Sequence, residues 1–405
     1  MKKMFTMEDQ NLKNKLFKKI DEKTDRMIEI RRYLHQYPEI SFDEKDTGAY
    51  IADFYKNKAV KVEKNFGGGY GVVVTIDSGH PGKTIALRAD FDALPVQEQT
   101  GLKYASKNKG TMHACGHDGH TAYMLILAES LYELKDNFNG KIKIIHQPAE
   151  ETPPGGALGM VKAGVLDNVD AIYGVHGWAP IPCGTIQCTK GPVMTGRSSF
   201  KMTIHGRGGH GSAPHLANDA NVAASYFVTI AQSIISRRVN PFDMATLTIG
   251  NFDGQGSFNV IKDSVFLEGD VRFMKDETCG VIEKNFKNIV HGLEIMFNVK
   301  IDLFYNNDYP VLNNDAELTK LTQNSLKNSH IKGLENLDFT TRNTASEDFA
   351  YFAKKIPAVY MFVGEMPDDG VFYPHHSPNF VINEKALPLA AKAVGVVALD
   401  SLVNE

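Results

Sequence analysis

The periodicity of this chain changes near residue 198, and that change constrains its fold more than any other feature. Before it, strand-like apolar runs at 71–77, 84–90, 141–147 and 171–176 alternate with helical patterns at about 44–57, 121–135 and 156–163. Such alternation predicts an α/β layer with a mostly parallel sheet flanked by helices. From 198 to 305 the order becomes strand (198–205), helix (216–236), strand (244–251), strand (264–273), helix (about 276–296) and strand (297–305), the βαββαβ of a ferredoxin-like unit. The α/β pattern then resumes at 357–364 and ends in a helix near 384–403. Gly191-Pro192 and Tyr309-Pro310 bracket the middle segment, as chain breakers do where an inserted domain leaves and rejoins its host. The expectation is a discontinuous host domain (1–192 and 310–405) carrying an inserted domain (193–309), which suits a chain of 405 residues.

At the amino-terminal side, Leu12, Leu16, Ile20, Met27, Ile30 and Leu34 recur at near-helical spacing, predicting one amphipathic helix over 8–36 that Pro38 closes. A net charge of −4 argues against nucleic acid as the main partner. No apolar run approaches the roughly 20 residues of a membrane span, and the first residues lack the apolar stretch of a secretory signal. The expected location is the cytoplasm, away from membranes. Four cysteines in a chain this long do not make a disulfide framework. A reducing compartment would leave Cys115 available as a ligand, with Cys183, Cys188 and Cys279 as packing residues.

The chemistry concentrates in two short runs. Residues 113–121 read His-Ala-Cys-Gly-His-Asp-Gly-His-Thr, and Gln147-Pro148-Ala149-Glu150-Glu151 follows about thirty positions later. Cys115 and His117 flank a single glycine, which lets a thiolate and an imidazole converge on one divalent ion. If Glu150 and Glu151 leave an extended strand on opposite sides, one binds metal while the other faces an activated water. Asp90, Glu150, Glu151 and His176 fall at the ends of the expected strands, where ligands collect in parallel sheets. The combination points to metal-assisted hydrolysis. Other residues carry plainer expectations: His120 packs or caps the following helix, His375 is the weaker of the adjacent pair His375 and His376, and His113 orients a ligand. His146 is a satisfied core histidine, the run 67–71 is a turn, and Arg88 either neutralises carboxylates or meets substrate.

Seven motifs then stand in a recognisable order: Arg31-Arg32-Tyr33-Leu34-His35 with Pro38-Glu39; Arg88-Ala89-Asp90-Phe91-Asp92-Ala93-Leu94-Pro95; the run 113–121; the run 147–151; Val175-His176-Gly177-Trp178; the run 208–215; and His376-Ser377-Pro378. Over nearly its whole length the chain resembles the branch of metallo-amidohydrolases and metallopeptidases with co-catalytic metals that contains N-acyl-amino-acid amidohydrolases, hippurate hydrolases and plant auxin-conjugate hydrolases. The resemblance implies two divalent metal ions per subunit on Cys115, His117, Glu151, His176 and His376, with zinc or manganese in first place and nickel or cobalt as alternatives. It implies Glu150 as general base, Asp90 as the carboxylate that orients His117, and His210 as a histidine that steadies the oxyanion in a neighbouring subunit's site. Asn259 and Arg272 resemble the positions that hold a substrate carboxylate. Relative to the peptidase branch, Arg88 stands where a ligand histidine is usual and His117 where a bridging aspartate is usual, so Cys115 would supply a thiolate bridge.

The function implied is hydrolysis of the amide bond of N-acyl amino acids with an aromatic or aliphatic acyl group, by a homodimer joined through the inserted lid domain or by a higher homo-oligomer. The alternatives are a dipeptidase or carboxypeptidase-like enzyme of the same family, and a non-catalytic metal-containing binding protein. Glu150 weighs against the last, because a scaffold needs no base beside its metal.

Overall fold

The computed structural model describes residues 7–403 and divides the chain into two units. The first holds the described residues up to Val193, with Asn313–Arg342 and the described residues from Asp348 onward; the second holds Met194–Leu312 and Asn343–Glu347.

The amino-terminal pattern folds as two helices rather than one, α1 (Met7–Glu22) and α2 (Thr24–Gln36). The break has a tertiary cause. Lys23, between them, pairs with Glu133 at 2.6 Å and Glu129 at 3.6 Å, while Leu16, Ile20, Met27, Ile30 and Leu34 are all buried. The chain continues through α3 (Lys45–Phe54), β1 (Lys61–Phe66), β2 (Gly71–Asp77), β3 (Thr84–Asp90), α4 (His117–Tyr132), β4 (Lys141–Gln147), α5 (Gly156–Lys162), β5 (Ala171–Pro182), β6 (Thr185–Gln187) and β7 (Gly191–Met194). The helix expected from 121 starts at His117, because Gly116 takes the left-handed φ of 92° that turns the chain into it. β5 runs six residues beyond His176, which therefore lies within a strand and not at its end.

The second unit follows with β8 (Gly196–His205), β9 (Gly209–His210), α6 (Ala220–Arg237), β10 (Ala245–Asp253), β11 (Val260–Ile261), β12 (Ser264–Phe273), α7 (Asp276–Phe297) and β13 (Lys300–Tyr309). Its four-stranded antiparallel sheet has the order β10-β12-β8-β13, the arrangement of a ferredoxin-like βαββαβ unit. Phe200, Phe227 and Phe286 are buried at the centre of its own core.

Returning to the first unit, the chain forms β14 (Leu312–Asn314), α8 (Ala316–Lys327), β15 (Asn336–Asp338), α9 (Ala350–Ala353), β16 (Ala358–Met366) and α10 (Ala386–Val403). The eight-stranded sheet has the order β1-β2-β4-β3-β5-β16-β6-β15, and its central strands β4, β3, β5 and β16 are parallel. Register then positions the site. Asp90 pairs with Gln147 and Arg88 with Gly174, so His176, two residues further, reaches the level of Asp90 at the carboxyl end of the sheet.

Helices α4 and α10 are apolar around almost their whole circumference and buried throughout the core. By length and composition α10 could cross a membrane, which corrects the expectation that no run comes close. It is 89% buried inside the unit, and its charges Lys392 and Asp400 pair with Asp21 and Lys13 of α1.

Candidate metal centre

Cys115 and Gly116 lead into α4, whose first residue is His117. The Nδ1–H of His117 donates to the carbonyl of Asp92 at 3.0 Å and to its carboxylate Oδ1 at 3.1 Å, so Nε2 is the nitrogen left for a metal, once it gives up its proton. That Nε2 is buried and has no hydrogen-bond partner. His176 is set the same way: its Nδ1–H donates to the carbonyl of Gly177, and its Nε2 lies 3.5 Å from Cys115 Sγ. Glu151 Oε1, also buried and without a hydrogen-bond partner, is 3.8 Å from His117 Nε2, and its Oε2 is 3.3 Å from His376 Nε2.

Three sets of donors converge here. Ligand atoms of Cys115, His117 and His176 lie within 4.8 Å of one another, as do those of Cys115, Glu151 and His376, and those of His117, Glu150 and Glu151. A tetrahedral ion with bonds of roughly 2.0–2.3 Å separates its ligands by roughly 3.3–3.8 Å, the spacing seen among these pairs. Cys115, His117 and Glu151 each belong to two of these sets, so the sets overlap. Two orphaned buried donors facing one space fit a divalent cation, since unpaired polar atoms are otherwise costly to bury.

The electrostatics divide the donors. Burial opposes protonation of His117, but the carboxylates of Asp90 and Asp92 outweigh it and raise the imidazole to about 10. Burial, with Glu151 and Glu150 adding to it, pushes the Cys115 thiol well above its ordinary value. Burial also holds His176 well below the usual imidazole range, leaving it neutral.

Several expected roles need restating. Glu150 and Glu151 lie in a bend after β4 and not on an extended strand; Ala149 before them has φ 54°, so the pair is turned by the backbone and not by strand alternation. Asp90 does not hold the Nδ1 of His117. Asp90 Oδ1 takes the Nδ1–H of His120 at 2.6 Å, its Oδ2 takes Arg88 at 2.6 Å, and it stands 3.7 Å from His117 Nε2. Asp92 is the residue that orients His117, and its Oδ2 also accepts the Glu151 N–H at 2.9 Å and the Ser41 hydroxyl at 2.7 Å. His120 uses both ring nitrogens, the second accepting the Gly177 N–H at 2.9 Å, and so has no lone pair left for a metal. Arg88, 1% exposed, donates to Gln147, Asp90 and Asp348, which places it as a neutraliser of buried carboxylates. His146 is buried with its Nε2 2.9 Å from the Tyr55 hydroxyl.

One contributor went unremarked in the sequence. Glu44 Oε1 accepts the N–H of Ala149 at 2.7 Å and so fixes the turn that presents Glu150 and Glu151. No local sequence signal marks it. His375, expected as the weaker of the adjacent histidine pair, sits 3.6 Å from Cys115 Sγ through its Nδ1.

The remaining candidates belong to the second unit. His210 is exposed in β9, and its Nδ1 accepts from the backbone N–H of Ser212, which leaves the Nε2–H of the neutral ring as donor. Asn259 is exposed beside it, next to β11, which pairs with β9. A cleft of about 570 Å³ includes His210, Asn259 and Lys262 in its lining. Arg272 in β12 is half-buried and donates to Asp270 at 2.7 Å and Ser346 at 3.0 Å.

Residues 86–400 match the model of peptidase family M20/M25/M40. N-acetyl-L-cysteine deacetylase of Bacillus subtilis (strain 168) is 39% identical over 361 residues, covering 89% of this chain and 84% of that one. A solved structure from methicillin resistant Staphylococcus aureus shares 54% identity with a TM-score of 0.90 over 96% of this chain and 99% of that one. The structure of YXEP from Bacillus subtilis, described as a dinuclear metal binding peptidase, shares 30% identity with a TM-score of 0.79 over 94% and 98% of the two chains.

Proposed function

The chain belongs to peptidase family M20/M25/M40, and on that premise we propose that it is a metal-dependent amidohydrolase that splits N-acyl amino acids into a carboxylic acid and a free amino acid. The observation that carries the reading is the pair of orphaned donors, His117 Nε2 and Glu151 Oε1, 3.8 Å apart with the buried Glu150 in the same donor set. Cys115, His117, Glu151, His176 and His376 would hold two divalent ions, with zinc or manganese the best match to a thiolate, imidazole and carboxylate set. When bound, the ions supply Lewis acidity, polarising the amide carbonyl and acidifying a water molecule.

The chain's own residues do the rest. Glu150 takes a proton from the attacking water as its oxygen bonds to the carbonyl carbon, then returns that proton to the amide nitrogen as the carbon–nitrogen bond breaks. Asp92 keeps His117 and Glu151 aimed into the site. In the second unit His210 offers an N–H to the oxyanion of a neighbouring subunit's site, and Asn259 and Arg272 receive the substrate's carboxylate. Homodimerisation through this unit is supported by its edge strand β10, which pairs only with β12 among the described residues, and by the exposed Phe242 and Phe252. The four free cysteines support a reducing, cytoplasmic setting.

The test is amino-acid release from N-acetyl, N-benzoyl and dipeptide substrates, using protein stripped of metal and reloaded separately with zinc, manganese, cobalt and nickel. Metal-dependent release from the N-acyl substrates is the expected result. Release from dipeptides alone would replace this reading with a peptidase. Silence with all substrates despite stoichiometric metal binding would favour a binding protein.

A further inference from the structure

His375 is not one of the five residues assigned above to the metals, yet its geometry is fixed toward one of them. Its Nδ1 lies 3.6 Å from Cys115 Sγ, and its Nε2 accepts the backbone N–H of Ala179 at 3.2 Å. The second contact decides the first. A ring nitrogen that accepts a backbone N–H carries no proton, so the proton of the neutral imidazole sits on Nδ1, which lies 3.6 Å from the sulfur and also within reach of the Cys115 backbone. The same proton bars Nδ1 from ligating a metal. The ring has little freedom to turn away: it stacks on Trp178 with centroids 4.3 Å apart at 20°, and meets Phe380 at 4.7 Å and His176 edge-on at 5.5 Å.

We propose that His375 is a positioning residue for the thiolate, donating its Nδ1–H to Cys115 Sγ while that sulfur bridges two ions. This rests on the reading of Cys115 as a ligand. A bridging thiolate spends one lone pair on each cation and keeps a third, and the Nδ1–H is aimed at sulfur from a ring that backbone and aromatic contacts hold still. A hydrogen bond to ligand sulfur withdraws charge from it, leaving the ions stronger Lewis acids. His375 thus tunes the centre without touching metal.

The experiment uses the dicobalt form of the whole protein and reads its thiolate-to-cobalt charge-transfer band. His375→Phe keeps a flat ring between Trp178 and Phe380 but removes the N–H, whereas His375→Asn returns an N–H close to the Nδ1 position. Expected are two cobalt ions per subunit throughout, a band shifted to lower energy in His375→Phe, and a return toward the wild-type energy in His375→Asn. An unmoved band in His375→Phe overturns the proposal, and so does the loss of one cobalt, which would make His375 a ligand. Absence of any thiolate band in the wild type would instead overturn the assignment of Cys115. A second measurement needs no folded variant: NMR of isotope-labelled histidine in the zinc-loaded wild type should show the Nδ1–H tautomer at His375, and the Nε2–H tautomer would sink the idea.

Discussion

Oδ1 of Asp92 receives the Nδ1 proton of His117 across 3.1 Å. The other oxygen of the same carboxylate holds the N–H of Glu151, so one side chain aims two of the proposed metal donors. Asp92→Asn sets an amide N–H against one of these two donors. Metal affinity should fall by roughly 10–100-fold while the fold persists. Competition against a chelator measures this, and unchanged affinity would remove Asp92 from the positioning role.

Glu150→Gln keeps the size of the side chain but cannot take a proton. Metal content should match the wild type while turnover falls by about 10²–10⁴. Metal analysis alongside kcat separates base from ligand. Loss of an ion in the variant would reassign Glu150 to the ligand set.

The protonation of the donors predicts what metal loading releases. His117, raised to about 10, and Cys115, raised well above its ordinary value, both carry protons near neutrality in protein stripped of metal, whereas His176 does not. Loading should therefore release about two protons per subunit at pH 7–8, and apparent affinity should fall as pH is lowered. Calorimetry in buffers of different ionisation enthalpy counts the protons, and a count near zero would contradict the assignment of both residues.

How much of this was legible in the sequence depends on what fixes each feature. The strands expected at 71–77, 84–90, 141–147 and 264–273 have those bounds in the structure, because continuous or alternating apolar positions between breakers mark a strand locally. The break at Lys23 was not legible, since it depends on Glu129 and Glu133 more than a hundred residues away. Nor could the sequence choose between Asp90 and Asp92 as the partner of His117. β3 ends at Asp90, so the strand's alternation gives no rule for the side chain two residues on. The Cys115 and His117 pair was legible because its geometry is local, set by Gly116. His375 and Glu44 act through neighbours distant in sequence, and only the fold brings those contacts together.

Glu44 supplies a further prediction. Burial, reinforced by Asp92, pushes its carboxyl up to about 7. A carboxyl raised in the folded state contributes stability that is complete below its unfolded value near 4.5 and is lost as pH rises through about 7. Glu44→Gln keeps an oxygen for the Ala149 N–H but removes the titration, so the variant should gain on the wild type between pH 5 and pH 8 by up to about 3 kcal/mol. Thermal unfolding at the two pH values measures the difference; a gap that does not change with pH would place the Glu44 carboxyl in the ordinary range.

The interruption of the first unit also dictates a timetable. Met194–Leu312 is contiguous apart from its short return segment and encloses its own aromatic centre, so it can settle while the ribosome is still adding residues. The surrounding unit must wait, because α10, which fills the space beside α4, and His376, which faces Glu151, are made after the second unit. Until then the apolar surface of α4 lacks the helix that covers it, and nascent chains halted before Ala386 should be protease-sensitive in the first unit and resistant in the second. The candidate metal-binding residues thus come together only after the second unit has been translated.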